Sequence, residues 1–370
     1  MSIEDNPAPD YGDFVCSDDE FEVEDLAEPR ERYFQGLPYY PICIGDVLDQ
    51  RYRIEHKLGH GGYSTVWVAH DMQTKRDVAL KIHVPGSEGE NELKMQNEII
   101  RNVQDTSNLL TYESSFYLRG YDSQNHLVLV FPIWGPSFGS CMKQMSTSAH
   151  LNNRNVMWGI CLPNIYDTDT KYKYLGRPQK IKFYSPSGST AEIVKPIIFS
   201  NDLLRETVCL GDFGHAIKAG TSVTPKFHSP VGYCAPELFH DRDPSFASDI
   251  WSYMCLFSEL YFGFQLFWKT GSPAIVSEIV NVLGPLPEHW KGGYKGPGTG
   301  NDSWYDQSRV PSKPLAAIIK YSRPEISDIE RSHVLSIMSK GLCYLPESRI
   351  SAEQLQQDAS FKAIMEIHGR

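Results

Sequence analysis

A glycine-rich stretch, Leu58-Gly59-His60-Gly61-Gly62-Tyr63-Ser64-Thr65-Val66-Trp67, restricts the possible folds of this chain more than any other feature. The apolar and basic run Tyr52 to Leu58 leads into it, and the β-branched and aromatic run Thr65-Val66-Trp67-Val68 leads out. A dinucleotide-binding loop would have to open a helix, whereas these flanks read as strands. Glycines between two strands let backbone amides approach a phosphate chain that any Cβ would push away. Val78-Ala79-Leu80-Lys81 then places a lysine on the next strand, where it can reach α- and β-phosphates.

Further along, Leu210-Gly211-Asp212-Phe213-Gly214 holds a carboxylate between glycines on a tight turn, where it can grip a divalent metal that bridges phosphates. Alone it would be an ordinary turn after a strand. Gly232-Tyr233-Cys234-Ala235-Pro236-Glu237 alone would be a proline-containing turn at a helix start. Loop, lysine, Asp-Phe-Gly and Ala-Pro-Glu in this order resemble the eukaryotic protein kinases, over about Ile44 to Phe361. Within that family the chain resembles the serine/arginine-protein kinases of fungal type. That likeness rests on Ile44-Gly45-Asp46 leading to Arg51-Tyr52, on Leu58 to Trp67, and on Leu283-Gly284-Pro285-Leu286-Pro287 followed by Trp290.

The resemblance implies an α+β, two-lobed fold: a small antiparallel β lobe with one helix over residues 41–134, and a larger, mainly helical lobe over residues 135–370. Strands are expected at Tyr52–Leu58, Thr65–His70, Asp77–Val84, Ser114–Leu118 and His126–Phe131, with a helix over about Glu88 to Val103. Leu93, Ile100 and Val103 share one face of that helix at helical spacing. ATP and Mg2+ are the implied cofactors. Gly59, Gly61, Ser64, Val66, Ala79, Lys81, Phe131, Pro132 and Trp134 would contact the nucleotide, with Phe131 at the back of the pocket. The adenine would bond to the Pro132 carbonyl, which proline retains, and to the Trp134 amide. Glu92 would pair with Lys81, Glu98 being the alternative partner in a shifted register. Asn155 and Asp212 would hold metal. Glu237 would pair with Arg349, and Asp249 would tie down the catalytic loop. Val276, Ile279, Val280 and Leu283 form a core stripe, and Ser351 with Gln354 forms a capping box for a last helix running to about Phe361.

The largest departure from the family lies between hinge and metal-binding Asn. The family pattern of His-Arg-Asp, Leu and a later Asn meets Ser148-Ala149-His150-Leu151-Asn152-Asn153-Arg154-Asn155 here, so His150 stands at the position of the base. Only Gly135 to Thr147 precedes it, too short for a helix of ordinary length with its connections at about 1.5 Å per residue. The helix and base segment is absent, and a deletion, a splice form and a mis-joined gene reading all fit. Loss of that helix should uncover the apolar face around Trp251 to Leu260, giving a marginally stable chain and a poor or inactive kinase. With Ala149 at the usual arginine, a phosphate on Thr221, Ser222, Thr224 or Ser229 would lack its charge partner.

The chain has 370 residues, 41% of them hydrophobic, enough for one large catalytic unit. Its net charge of −11 crowds into residues 1–40, an acidic leader read as a disordered tail, with a lure or cover for basic substrates as the sharper alternative. Gly159 to Glu206 is a polar insert, expected to be a partly ordered surface segment. No basic stripe suits nucleic acid and no apolar run suits a bilayer. Eight scattered cysteines and no secretory leader point to a cytoplasmic or nuclear setting. The partners expected are Arg/Ser-rich proteins, docked through Glu288, Asp302 and Asp306.

Overall fold

Six strands, β2 (Val47–Leu48), β3 (Tyr52–Gly61), β4 (Ser64–Asp71), β5 (Arg76–His83), β6 (Ser114–Arg119) and β7 (Asn125–Pro132), form one sheet. Its order is β2-β3-β4-β5-β7-β6, antiparallel throughout. In this computed structural model the described residues are 11–16, 19–34, 36–121, 123–139, 155–161, 168–185, 188, 190–224 and 230–369. They fall into two units, Met1–Pro136 with Met157–Ala216, and Ser137–Val156 with Ile217–Arg370.

Register assigns the two faces of the sheet. Val66 opposes Lys81, Ala79 opposes Phe131 and Lys81 opposes Leu129, so these side chains share one face. Trp67, Leu80, Ile82, Val128 and Val130 fill the other, with Ile42 and Ile44. Helix α2 (Ser87–Asn102) follows β5. Of the expected apolar set only Leu93 packs inward, partly buried against the Ala79–Leu129–Phe131 cluster: Glu92 and Gln96 are buried with Met95, while Ile100 and Val103 are 46% and 40% exposed. The Lys81 partnership of Glu92 and the bonds of Gln96 to the Leu110 carbonyl and Tyr112 N–H decide the facing, at 3.1 and 3.2 Å for the latter two. Specific polar pairing overrides the apolar stripe here.

The described residues of the expected tail, 11–16, 19–34 and 36–40, are built into the fold; residues 1–10, 17, 18 and 35 lie outside the described set. Strand β1 (Asp13–Phe14) and helix α1 (Glu20–Leu26) precede a 3-10 turn, Arg30–Tyr33. Val23 and Ala27, four apart among carboxylates, are buried, as are Tyr33 and Tyr39. The cause is a charge that composition counts as solvated: Glu28 accepts hydrogen bonds from Lys57 Nζ and the Tyr33 hydroxyl, all three side chains being buried.

The insert is likewise an integral part of the first unit and not a surface spacer. It contains α3 (Thr168–Leu175), β9 (Gln179–Tyr184) and β10 (Thr190–Val194), and β8 (Val156–Ile160) and β11 (Leu204–Leu210) run across its two ends. β9 pairs with β1 in parallel and with β10 antiparallel, and β8 pairs with β11. Lys171 lies between Glu55 and Asp77 at 2.5 and 2.6 Å, and Lys180 meets Glu192 diagonally across its ladder at 2.9 Å. Glu192 in turn accepts the Ile44 N–H at 2.8 Å, and the Ile197 N–H reaches the Lys57 carbonyl at 2.9 Å. Lysines that read as surface residues are here paired ions within the fold.

The second unit is helical: α4 (Phe246–Phe262), α5 (Ser272–Leu283), α6 (Leu315–Ser322), α7 (Asp328–Gly341), α8 (Ala352–Gln357) and α9 (Ala359–Ile367). Trp251, Met254, Cys255 and Leu256 of α4 are buried in its core, so the expected uncovered face is confined to Leu260, 49% exposed. Val276, Ile279 and Val280 are fully buried and Leu283 partly so, as their spacing requires. Arg349 grips Glu237 through two bonds of 2.8 and 2.9 Å. The Ser351–Gln354 capping box is present, but the last helix breaks at Asp358, whose carboxylate caps a new helix through the Ser360 and Phe361 amides. Replacing Ser351 with alanine is expected to cost about 1 kcal/mol, read as a lower urea midpoint.

Candidate functional site

Lys81 Nζ bonds Glu92 Oε2 at 2.6 Å and Asp212 Oδ1 at 2.8 Å, all three residues within the first unit. Strand β5 carries the lysine between buried Leu80 and Ile82, and α2 turns Glu92 toward it. Asp212 follows β11, whose Leu210 bonds with Asn108 and Leu110 at 2.8 and 2.7 Å. A Cβ at Gly211 would lie 2.4 Å from the Met157 methyl and 3.2 Å from Leu110, so a side chain there would have to displace the Met157 tip and crowd Leu110. Asp212 has φ 59° and ψ 69°, the left-handed region that an aspartate adopts at a cost, and this turns its carboxylate toward Lys81. Asn91 donates to the Gly214 carbonyl at 2.6 Å, closing the turn onto α2. Glu98 is not the partner: its carbonyl accepts from Asn102 within the helix.

The charges respond to one another. Burial would pull the Lys81 ammonium down, but the Asp212 and Glu92 carboxylates outweigh it and hold it above its ordinary value. Lys81 likewise holds the Asp212 carboxyl below the usual range against burial. Glu92 is raised, because burial and the Asp212 charge outweigh its pairing with Lys81. His83, missed in the sequence, lies buried 3.5 Å from Glu92 Oε2, and burial with the Lys81 charge pushes its imidazole down to about 3. It is therefore a neutral wall behind the ion pair. The constraint on Gly89 was equally hidden: its Cβ would meet the His83 ring at 2.9 Å.

The glycine-rich stretch is a hairpin, with Gly61 opposite Ser64 and the turn at Gly62 and Tyr63. A Cβ at Gly59 or Gly62 would have nothing within 4 Å, so protein packing does not require these glycines. The space beside them suits a phosphate chain. Leu58, Val66 and Ile133 pack on the edge of the Ala79–Leu129–Phe131 cluster, an apolar floor on the Lys81 face of the sheet. Pro132 ends β7, with Ile133 and Trp134 half-buried beyond it. Asp212 is 51% exposed, and Oδ2 takes no hydrogen bond among the described residues. Among those residues no cluster of three or more His, Cys, Asp or Glu could hold a metal ion. These features fit Mg-ATP. Asn155 is a half-buried turn residue just before β8, grouped with the second unit. His150, Ala149, Ser229 and the segment around them lie outside the described residues.

A glycine hairpin, a strand lysine paired to a helix glutamate, and an Asp-Phe-Gly turn closing on both define a protein-kinase-type nucleotide fold. The protein kinase domain family matches residues 197–361. The chain is 25% identical over 275 residues to the probable serine/threonine-protein kinase clkA of Dictyostelium discoideum, covering 67% of this chain and 29% of that one. It is 24% identical over 364 residues to a serine/threonine protein kinase of Aspergillus fumigatus, covering 90% of each. Over 73 residues, 20% of this chain and 7% of the other, it is 52% identical to the serine/threonine-protein kinase spk-1 of Caenorhabditis elegans. Residues 197–361 are thus similar to the protein kinase domain family, and the relatives the chain resembles carry the names of serine/threonine or dual specificity protein kinases.

Proposed function

We propose that this chain is an ATP-dependent kinase that phosphorylates serine in Arg/Ser-rich proteins. The observation that carries this reading is the Lys81–Glu92–Asp212 ion triad, with the open glycine hairpin on the same unit. Residues 59–64 would hold the phosphates, Phe131 to Trp134 the adenine, and Asp212 the metal. Mg-ATP supplies the transferable phosphoryl group and its charge neutralisation. Glu92 keeps Lys81 aimed and charged. His150 stands where the sequence pattern calls for the base that orients the serine hydroxyl.

The Arg/Ser preference is supported by the sequence resemblance and by acidic residues in the second unit. Glu288 is exposed. Asp302 lies 3.2 Å from Lys291, and Asp306 accepts from the Ser308 amide and hydroxyl, so both are partly committed. Glu288→Lys should therefore raise the KM for an Arg/Ser peptide several-fold and leave an Arg-free peptide unaffected. A cytoplasmic or nuclear location accords with the cysteines, which are all free among the described residues. Also among those residues, no helix is long and apolar enough to cross a membrane.

Peptide phosphorylation with labelled ATP tests the reading: serine-directed transfer, faster on the Arg/Ser peptide, is expected. Equal turnover of an Arg-free peptide would contradict the substrate class. His150 at the base position favours a second reading, a nucleotide-binding scaffold, since general-base help is worth roughly 10²–10⁴-fold. Nucleotide binding without transfer to either peptide would favour it.

A further inference from the structure

Residues 28–39 touch the glycine hairpin at two backbone carbonyls. The Tyr39 hydroxyl donates to the Gly61 carbonyl at 2.5 Å, and Arg32 Nη2 donates to the Gly62 carbonyl at 2.5 Å. Both donors are themselves held. The Arg32 guanidinium lies over the Tyr39 ring, 4.9 Å from its centroid, and the Tyr39 amide bonds to the Arg32 carbonyl at 3.0 Å. Tyr33 meets Tyr39 edge-on at 5.7 Å, and Tyr33 is itself fixed by the buried Glu28 that binds Lys57. Lys57 stands on β3 two residues before Gly59. The segment is therefore rooted on the base of the strand whose tip it holds.

A trans peptide is planar, so a carbonyl and the N–H that follows it point in opposite directions. Fixing the Gly61 carbonyl fixes the direction of the Gly62 N–H, and fixing the Gly62 carbonyl fixes that of the Tyr63 N–H. Amides of such a turn are the donors a phosphate takes. The ladder pairing of Gly61 with Ser64 and the Val84 N–H on the Tyr63 carbonyl, at 2.9 Å, anchor the two sides of the turn, and the two side chains add a hold on the Gly61 and Gly62 carbonyls between them. Gly61, Gly62 and Tyr63 are exposed, and a Cβ at Gly62 would touch nothing. A glycine turn left free would have to be ordered by the nucleotide itself, an entropy loss charged against binding.

We propose that Arg32 and Tyr39 are positioning residues for nucleotide binding, a clamp from the acidic N-terminal segment that presets the phosphate-binding amides of the glycine hairpin. The inference rests on the nucleotide reading above. It assigns the leader a role other than a solvated tail or a substrate lure, and it makes the affinity for ATP depend on residues that touch no nucleotide atom.

The test uses the full chain with Arg32→Ala, Tyr39→Phe, the double variant and the conservative Arg32→Lys. Mg-ATP affinity is measured by calorimetric titration, and kcat and KM for ATP separately. Loss of a charge-assisted hydrogen bond should weaken Mg-ATP binding about tenfold in Arg32→Ala, and loss of a neutral one about fivefold in Tyr39→Phe. The change should fall mainly on KM, with Arg32→Lys recovering most of it. Amides 61–64 should exchange with deuterium faster in the nucleotide-free double variant while its urea midpoint stays close to that of the wild type, a pattern that general loosening would not produce. Variants that bind Mg-ATP as tightly as the wild type, with unchanged exchange at these amides, would overturn the clamp while leaving the nucleotide reading intact. A wild-type chain that binds no Mg-ATP would overturn the nucleotide reading, and the clamp with it.

Discussion

Glu28→Ala is expected to destabilise the first unit by about 3–5 kcal/mol, because it leaves the Lys57 ammonium buried with no counter-charge. Lys57 is fully buried on β3, 4.3 Å from the Trp67 ring centroid, and Glu28 is 1% exposed. Replacing both ions together, Glu28→Leu with Lys57→Met, should recover most of the loss, since a buried pair contributes far less than either ion alone removes. Hydrogen exchange at the β3 and β4 amides, with urea midpoints, measures both variants. A single variant as stable as the wild type would show that water reaches the pair.

The same pair has a pH signature. Burial pushes the Glu28 carboxyl up, but the Lys57 charge and the bonds from Lys57 and Tyr33 outweigh it, so its folded value lies below the ordinary 4.5. A depressed carboxylate contributes stability that is present above its unfolded pKa and lost as pH falls through the folded one. The first unit should therefore loosen in acid below about pH 4.5, and the apolar double variant should lack that part of the acid sensitivity.

Lys81→Ala is expected to lower phosphoryl transfer by about 10²–10³-fold, the scale of losing one preorganised charge aimed at a reacting group. Its removal would also strand Glu92, 2% exposed and already raised by burial, which would then be uncharged over a wider pH range. Lys81→Met keeps a long side chain opposite Val66 and Leu129 and separates charge from bulk. Its turnover should fall as far, with a smaller loss of stability. Equal turnover in Lys81→Met and wild type would remove the lysine from the mechanism.

Legibility from sequence followed the range of the signal. The strands, the Lys81–Glu92 pair, the Glu237–Arg349 pair and the Ser351 capping box were readable, because each rests on a short pattern or on a motif that names both partners. The leader and the insert were not. Their buried Glu28, Lys171 and Lys180 are indistinguishable from solvated charges until Lys57, Glu55, Asp77 and Glu192 are brought to them by the fold. The inward face of α2 was misread for the same reason, since an ion pair and the Gln96 amide outweighed Ile100 and Val103. Arg32 and Tyr39 carried no signal at all, as their acceptors are backbone carbonyls about 30 and 20 residues away.

The central claim is that the Lys81–Glu92–Asp212 triad and the glycine hairpin form a nucleotide site, and calorimetric titration of the purified chain with ATP, with and without Mg2+, tests it most directly. Saturable binding that weakens without Mg2+ and on Lys81→Ala or Asp212→Asn is the predicted result. No binding at millimolar nucleotide, or binding indifferent to Mg2+ and to both substitutions, would contradict it.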